Sequence, residues 1–474
     1  MNEWLLLLLV PLGAAAFGQL FQDDDDDNRD EPEPEPEPQT GGTAGDDTLT
    51  APEGFRGRVM GRDGDDRITV GSPDNPGYYH DSTNLTTDDG HWNAWRDWDP
   101  DAPGRVPPGV VMARGGDGAD TIIGSGRGIH ADGDAGDDRL ELHSEPGDLR
   151  DGRSDYALLG RGGAGNDEII LSGSGALVLG DAGDDLISVS GENMVINGGE
   201  GADTIHVAGL TDSEIVLGRG DVVTGRGEGA DGLRFRLHDG ADFTGNASDE
   251  EFVAREGSRA DGGGGDDTLT NDYHDDSSVT LIGGAGNDTI IGNDAWGNHA
   301  MTAQDGYRFR VGASSDSLDG GDGDDVIGYD RGDTITGGSG ADIIDGYVDS
   351  RDAATVTDFD PAEDRLRVNI PPAEAGTEAD PFGNVSVIEE DGDTVIRLGD
   401  AEIMRIENAT GLNIGFQTDR WREEWSDGSI HEGEYREGDG EVLDDDTIFT
   451  DLDGNEVDRD SLDVVINNYL TLYT

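Results

Sequence analysis

The chain has no cysteine, so no disulfide framework forms and no thiol chemistry is available. It also has no lysine: all 31 basic residues are arginine, against 106 acidic ones, for a net charge of −75. Such a surface repels nucleic acid and anionic membranes, which excludes both as partners. Aromatic residues are few (6%), and 33% hydrophobic residues beside 77 glycines would hardly fill a large globular core. The length of 474 residues allows two or three domains.

What is abundant is arranged periodically. Gly162–Ile205 reads GGAGNDEIILSGSGALVL, then GDAGDDLISVSGENMVIN, then GGEGADTI, an 18-residue unit used twice and begun a third time. Each unit opens on a Gly-rich turn closing on Asp167, Asp185 or Asp203 and runs into a short aliphatic strand. A second strand follows a second glycine-containing turn (Ala176–Leu179, Met194–Ile196). Two strands and two turns per unit make one coil of a two-sided parallel β-solenoid, a nonapeptide pattern associated with calcium. The spacing predicts Ile169, Leu171, Leu177 and Leu179 as inward side chains. Adjacent strands lie about 4.8 Å apart, so each coil sets its Asp beside that of the next. Carboxylates so close repel unless a hard cation lies between them. Calcium suits that position, because it takes carboxylate and backbone carbonyl oxygens together.

Twelve windows fit the motif, with the Asp at 47, 66, 120, 138, 167, 185, 203, 231, 267, 288, 325 and 342, the copy at 231 being degenerate. The residue two positions on is always Ile or Leu, a fixed register that disordered Gly/Asp-rich sequence would not keep. Gaps of 54 and 36 residues read as three and two coils, and gaps of 29 and 28 as one coil plus an insertion. Pairs one coil apart (47/66, 120/138, 167/185, 185/203, 267/288, 325/342) predict about six ions between turns.

These repeats resemble those of the RTX, or hemolysin-type, calcium-binding family exported by type I secretion. The resemblance covers about residues 42–345 and implies a β-roll with calcium held between the turns of adjacent coils. Carried over, it implies as metal ligands Asp47, Asp66, Asp120, Asp138, Asp167, Asp185, Asp203, Asp267, Asp288, Asp325 and Asp342. Turn glycines Gly116, Gly118, Gly163, Gly165, Gly183, Gly199 and Gly201 join them as the backbone part of the sites. Many half-coils lack the Gly-Asp turn, as at Ser172–Ala176, which leaves the second side of the roll without the motif.

The remaining sequence suggests four regions. Residues 1–21 include the apolar Trp4–Phe21, a hydrophobic leader that is either a membrane anchor or a cleaved signal. Residues 22–40 form an acidic linker whose EPEPEPEP run is a stiff extended spacer. The β-roll occupies 41–346, interrupted by Ser72–Met112 with Trp92, Trp95 and Trp98 and again by Asn271–Ser317. Exposed tryptophans can stack on sugar rings, although they more often pack a loop down. Residues 347–474 form a β-rich cap. Within it Thr355–Val368 resembles the segment following RTX repeats, and Asp463–Ile466 resembles a type I export signal.

No catalytic constellation accompanies the repeats. His431-Glu432-Gly433-Glu434-Tyr435 lacks the second His of a zinc helix, and GSGSG-like stretches lie at coil turns rather than at a nucleophile elbow. The sequence therefore points to an extracellular, non-enzymatic calcium-binding β-roll that folds on calcium. The alternative is a polysaccharide-binding or polysaccharide-modifying protein using the Trp92–Trp98 loop, and cell-surface components are further possible partners.

Overall fold

The computed structural model describes residues 39–72, 110–144, 158–225, 232–272, 277–292, 314–377, 380–424, 430–434 and 447–467. The hydrophobic leader, residues 226–231 of the Asp231 window, and the Trp92–Trp98 and Trp296 loops lie outside them. No helix among the described residues is long and apolar enough to cross a membrane.

The chain is an all-β parallel roll. One sheet, here the through sheet, runs the length of the coils, from Gln39–Gly41 to Arg365–Asn369. Two shorter sheets form the other wall in succession. The early sheet runs from Thr48–Thr50 to Val222–Thr224, and the late sheet begins at Asp242–Thr244. The aliphatics after each Asp stack in register: Ile68, Ile122, Leu140, Ile169, Ile187 and Ile205 are direct neighbours up the early sheet and fully buried. Burying each contributes about 1.5–3 kcal/mol, repeated coil after coil.

Two expectations need correction. Ile68 pairs directly with Ile122, so the 54-residue gap is one coil carrying a long insertion, and three coils do not fit there. Ile290 likewise pairs with Ile327 across 37 residues. Ile169 and Leu171 do point inward, but Ala176 and Val178 are their partners from the other wall. Leu177 and Leu179 pack with Leu159 and Val195 in a separate cluster, because the turn at Gly173–Gly175 shifts the strand's alternation by one residue.

The metal-type turns change sides. In the early half the Gly-Asp turn carries the chain out of the through sheet, as from Leu158–Ala164 into Glu168–Ser174. In the late half it carries the chain into the through sheet, as from Arg259–Gly264 into Thr268–Asn271. The long insertions (73–109, 145–157, 293–313) all leave from the corner opposite the metal-type turn of their own half.

Coil stacking continues through Ala354–Val356 and Arg365–Asn369, followed by an antiparallel meander of Val385–Glu390, Asp393–Leu398 and Ala401–Ile406. The strand Val464–Asn467, overlapping the export-like segment, is inserted between Arg365–Asn369 and Ile414–Glu424 with parallel pairing on both sides. His431 and Glu432 sit on a strand, Ile430–Glu434, which is incompatible with a helical zinc motif.

Candidate metal centre

The Asp residues form two ladders. In the first, the backbone N–H of Asp66 donates to Asp120 Oδ1 (2.6 Å), that of Asp120 to Asp138 (2.7 Å) and that of Asp138 to Asp167 (2.8 Å). The chain of bonds continues through Asp185 and Asp203 to Asp221. The second ladder runs Glu250, Asp267, Asp288, Asp325, Asp342, Asp364 in the same manner, at 2.7–3.1 Å. Each accepting Asp thus spends Oδ1 on a charge-assisted bond to the preceding coil, whereas Glu250 Oε1 makes no such bond.

The fate of Oδ2 divides ends from interiors. At four outer positions a donor of the same turn takes the second oxygen: Thr43 for Asp47 (2.5 Å), Gly218 for Asp221 (2.7 Å), Asn246 for Glu250 (3.3 Å) and Asp360 for Asp364 (2.8 Å). In between, Oδ2 of Asp66, Asp120, Asp138, Asp167, Asp185 and Asp203 is buried without a hydrogen-bond partner. The same holds for Asp267, Asp288, Asp325 and Asp342. Ten orphaned anionic oxygens in two files need a counter-charge.

Backbone oxygen lies beside them. A Cβ on Gly162 would strike Asp167 Oδ2 and come within 2.7 Å of the Gly180 carbonyl, and a Cβ on Gly133 would strike Asp138 Oδ2 and the Gly162 carbonyl. Eight turns combine an orphaned Oδ2 with the next coil's glycine carbonyl: those of Asp66, Asp120, Asp138, Asp167 and Asp185, and those of Asp267, Asp288 and Asp325. The donor set, carboxylate plus carbonyl in a space that only glycine leaves open, fits a hard divalent cation. The sequence-derived glycines Gly116, Gly118, Gly163, Gly165, Gly183, Gly199 and Gly201 do a neighbouring job: all have positive φ and shape the turn. The carbonyls next to the orphaned oxygens belong to glycines earlier in each turn, such as Gly115, Gly133 and Gly180.

Burial, with the neighbouring carboxylates adding to it, pushes Asp138, Asp185, Asp267 and Asp325 up to about 7 and Asp120, Asp203 and Asp342 to about 6. Asp47, the first described rung, is held below the ordinary range by its bonds from Thr43.

Sequence reading missed three parts of this arrangement. Asp221 and Glu250 are rungs without the full motif, findable only through the buried Val223 and Phe252 two residues on. A second, outer ladder runs the opposite way: Asn166 N–H donates to Asp137 Oδ1, Asp184 to Asn166 and Ala202 to Asp184, each at 2.9 Å. Its signal is the Asp-Asp, Asn-Asp or Ala-Asp pair closing each turn. On the opposite corner, Asp333 accepts from Asp316 and Asp330 N–H with its two oxygens, so that corner satisfies its carboxylate from the protein. His238, Asp239 and Glu256 also converge, but Arg219 donates to the Asp239 carbonyl and supplies positive charge there already.

A parallel roll with glycine-lined carboxylate files at its corners is a cation-binding repeat architecture. The particular repeat is the RTX calcium-binding nonapeptide repeat, whose family model (described as four copies) matches residues 113–127, 178–213, 279–295, 308–333 and 327–349. The chain carries these repeats, and they are a calcium-binding motif. No curated protein matches the chain.

Close approach at the cradle is open to a direct test. Gly162→Ala has no backbone strain to relieve, so its Cβ acts only by contact. It is expected to remove one bound calcium and to destabilise the loaded fold by about 2–3 kcal/mol. Gly71→Ala, with nothing within 4 Å of the added carbon, is the matched control and should stay within about 0.5 kcal/mol. Equal denaturation midpoints for the two variants would contradict the cradle.

Proposed function

We propose that the chain is an extracellular calcium-binding roll that folds on calcium and has a structural or surface-interaction role without catalysis. The carrying observation is the set of ten orphaned Asp oxygens, eight of them facing a neighbouring glycine carbonyl. In this reading Asp66, Asp120, Asp138, Asp167, Asp185, Asp267, Asp288 and Asp325 supply a carboxylate each, and the next coil's glycine supplies a carbonyl. Asp203 and Asp342 close the two files, while Asp47, engaged with Thr43, caps the first. Calcium when bound supplies the positive charge that these files need.

Eight divalent ions would add sixteen charges to −75 and leave −59, so most carboxylates form a solvated acidic surface. Calcium at extracellular, near-millimolar levels is the natural trigger for folding. The export-like Asp463–Ile466 is consistent with this reading. Val464 and Ile466 are fully buried in the sheet, so any export signal there is presented only before folding.

The test is a calcium count on the full chain by equilibrium dialysis. About eight tightly held ions per chain are expected. Two or fewer at millimolar calcium would sink the reading, and six would favour counting only the regularly spaced pairs.

A further inference from the structure

We infer that the described residues 213–225 and 232–260 form a calcium-independent hub joining two separately acting calcium rows; this rests on the calcium reading above and specifies its regulation. The hub is where the metal-type turns change sides, and its chemistry differs from that of the coils around it.

Two of its described corners close by backbone hydrogen bonds rather than around a buried Asp. The turn His238–Ala241 is closed by Ala241 N–H to the His238 carbonyl (3.0 Å), with positive φ at Asp239 and Gly240. The turn Arg255–Ser258 repeats this at 3.1 Å, with Glu256 and Gly257 at positive φ. Two successive left-handed residues close each four-residue turn on one backbone hydrogen bond, with no cation needed. Ala241 and Ser258 stand where a metal row would place Asp.

The core changes as well. Up the through sheet the inward position reads Ile196, Ile215, Phe235, Phe252, Leu269. Phe243 from the late sheet joins the two phenylalanines, with ring centroids 4.6 Å from Phe235 and 6.2 Å from Phe252. Three packed rings bury far more apolar surface per coil than the Ile, Val and Ala of the metal rows. On the outer face Glu214, Arg234 and Glu251 are adjacent rungs, and Arg236 reaches Glu214 at 3.2 Å. Acid is matched by arginine on this face, as Arg139 matches Glu168 in the first row.

Each coil of a solenoid couples only to its neighbours. The first row ends at Asp221 and the second begins at Glu250, on opposite corners, so coupling between them must pass through coils whose described residues hold no orphaned Asp oxygen. The rows therefore fill with calcium independently on a hub that is already folded.

Hydrogen exchange by mass spectrometry on the full chain reads each segment separately. In excess chelator, amides of Phe235–Leu237 and Phe252–Ala254 are expected to exchange at least about 100-fold slower than unfolded chain, with the rows within about tenfold of it. Asp185→Ala is expected to raise the calcium midpoint of peptides from 116–205 severalfold and to leave 262–344 unchanged; Asp288→Ala should do the reverse. A hub that exchanges as fast as the rows in chelator, or one variant shifting both rows equally, overturns the inference. Rows whose exchange ignores calcium altogether would instead sink the calcium reading, while protection of the hub in chelator is scored on its own.

Discussion

Chelating calcium at pH 7.5 is expected to remove most of the strand signal of the roll, leaving the segment around Phe235 and Phe252. The argument is one of magnitude. A buried polar group without a partner costs about 1–3 kcal/mol, more when charged, and ten such oxygens stand in two files. That sum exceeds the roughly 5–15 kcal/mol by which folded domains are stable. Binding only to the folded geometry, calcium stabilises it by linkage. Acid should substitute in part. The row carboxylates are raised in the folded, metal-free chain to about 6 or 7 (Asp120 and Asp185 being examples), against about 3.9 unfolded. The folded state therefore binds more protons than the unfolded one between those values. Its penalty is full above about pH 7, shrinks as pH falls through the folded pKa values, and is gone below about 4. Far-ultraviolet circular dichroism of the calcium-free chain should thus show strand content rising from pH 7.5 to 5. Full strand content in chelator at pH 7.5, or no gain on acidification, would refute the account.

Asp185→Ala should damage the roll far more than Asp47→Ala. Asp185 accepts the Asp167 N–H, donates its own N–H to Asp203 and holds an orphaned Oδ2 against Gly180 and the Gly198 carbonyl. Its loss strands a buried donor and breaks a cradle, costing about 2–4 kcal/mol. Asp47 is the first described rung, its second oxygen already bonded to Thr43, and its loss should cost far less. Calcium midpoints followed by circular dichroism should therefore rise markedly for Asp185→Ala and barely for Asp47→Ala. Equal midpoints would refute stacking as the source of the sites.

The fold was legible wherever the 18-residue period was unbroken, as from Asp167 to Asp203, because strand spacing alone dictates that like residues stack. It was misread where length no longer reports coil number: the gap from Asp66 to Asp120 holds one coil, since an insertion at a corner adds residues without adding a rung. The inward set near Leu177 was misassigned because period-two alternation restarts after a glycine turn, and Val178 took the inward place. Glu250 and Asp221 escaped because their turns depart from the motif while their backbone still makes the same bond. The change of corner is invisible to any local pattern. It depends on which wall each strand joins, and that is settled only by the coils between Asp203 and Asp267.

That change of corner also decides where the chain tolerates variation in length. A residue added within Gly133–Asp138 would throw a carboxylate out of line with both neighbouring rungs, whereas thirteen residues (145–157) already fit between two paired strands without disturbing the register of Leu140 and Ile169. One edge of each half is thus fixed in length and the other is free to be decorated. Because the edges exchange roles at the hub, loops grafted at 145–157 and at 293–313 would project from opposite flanks of the same ribbon. The chain is in effect a two-sided display scaffold, on which two unrelated peptides could be carried without facing each other.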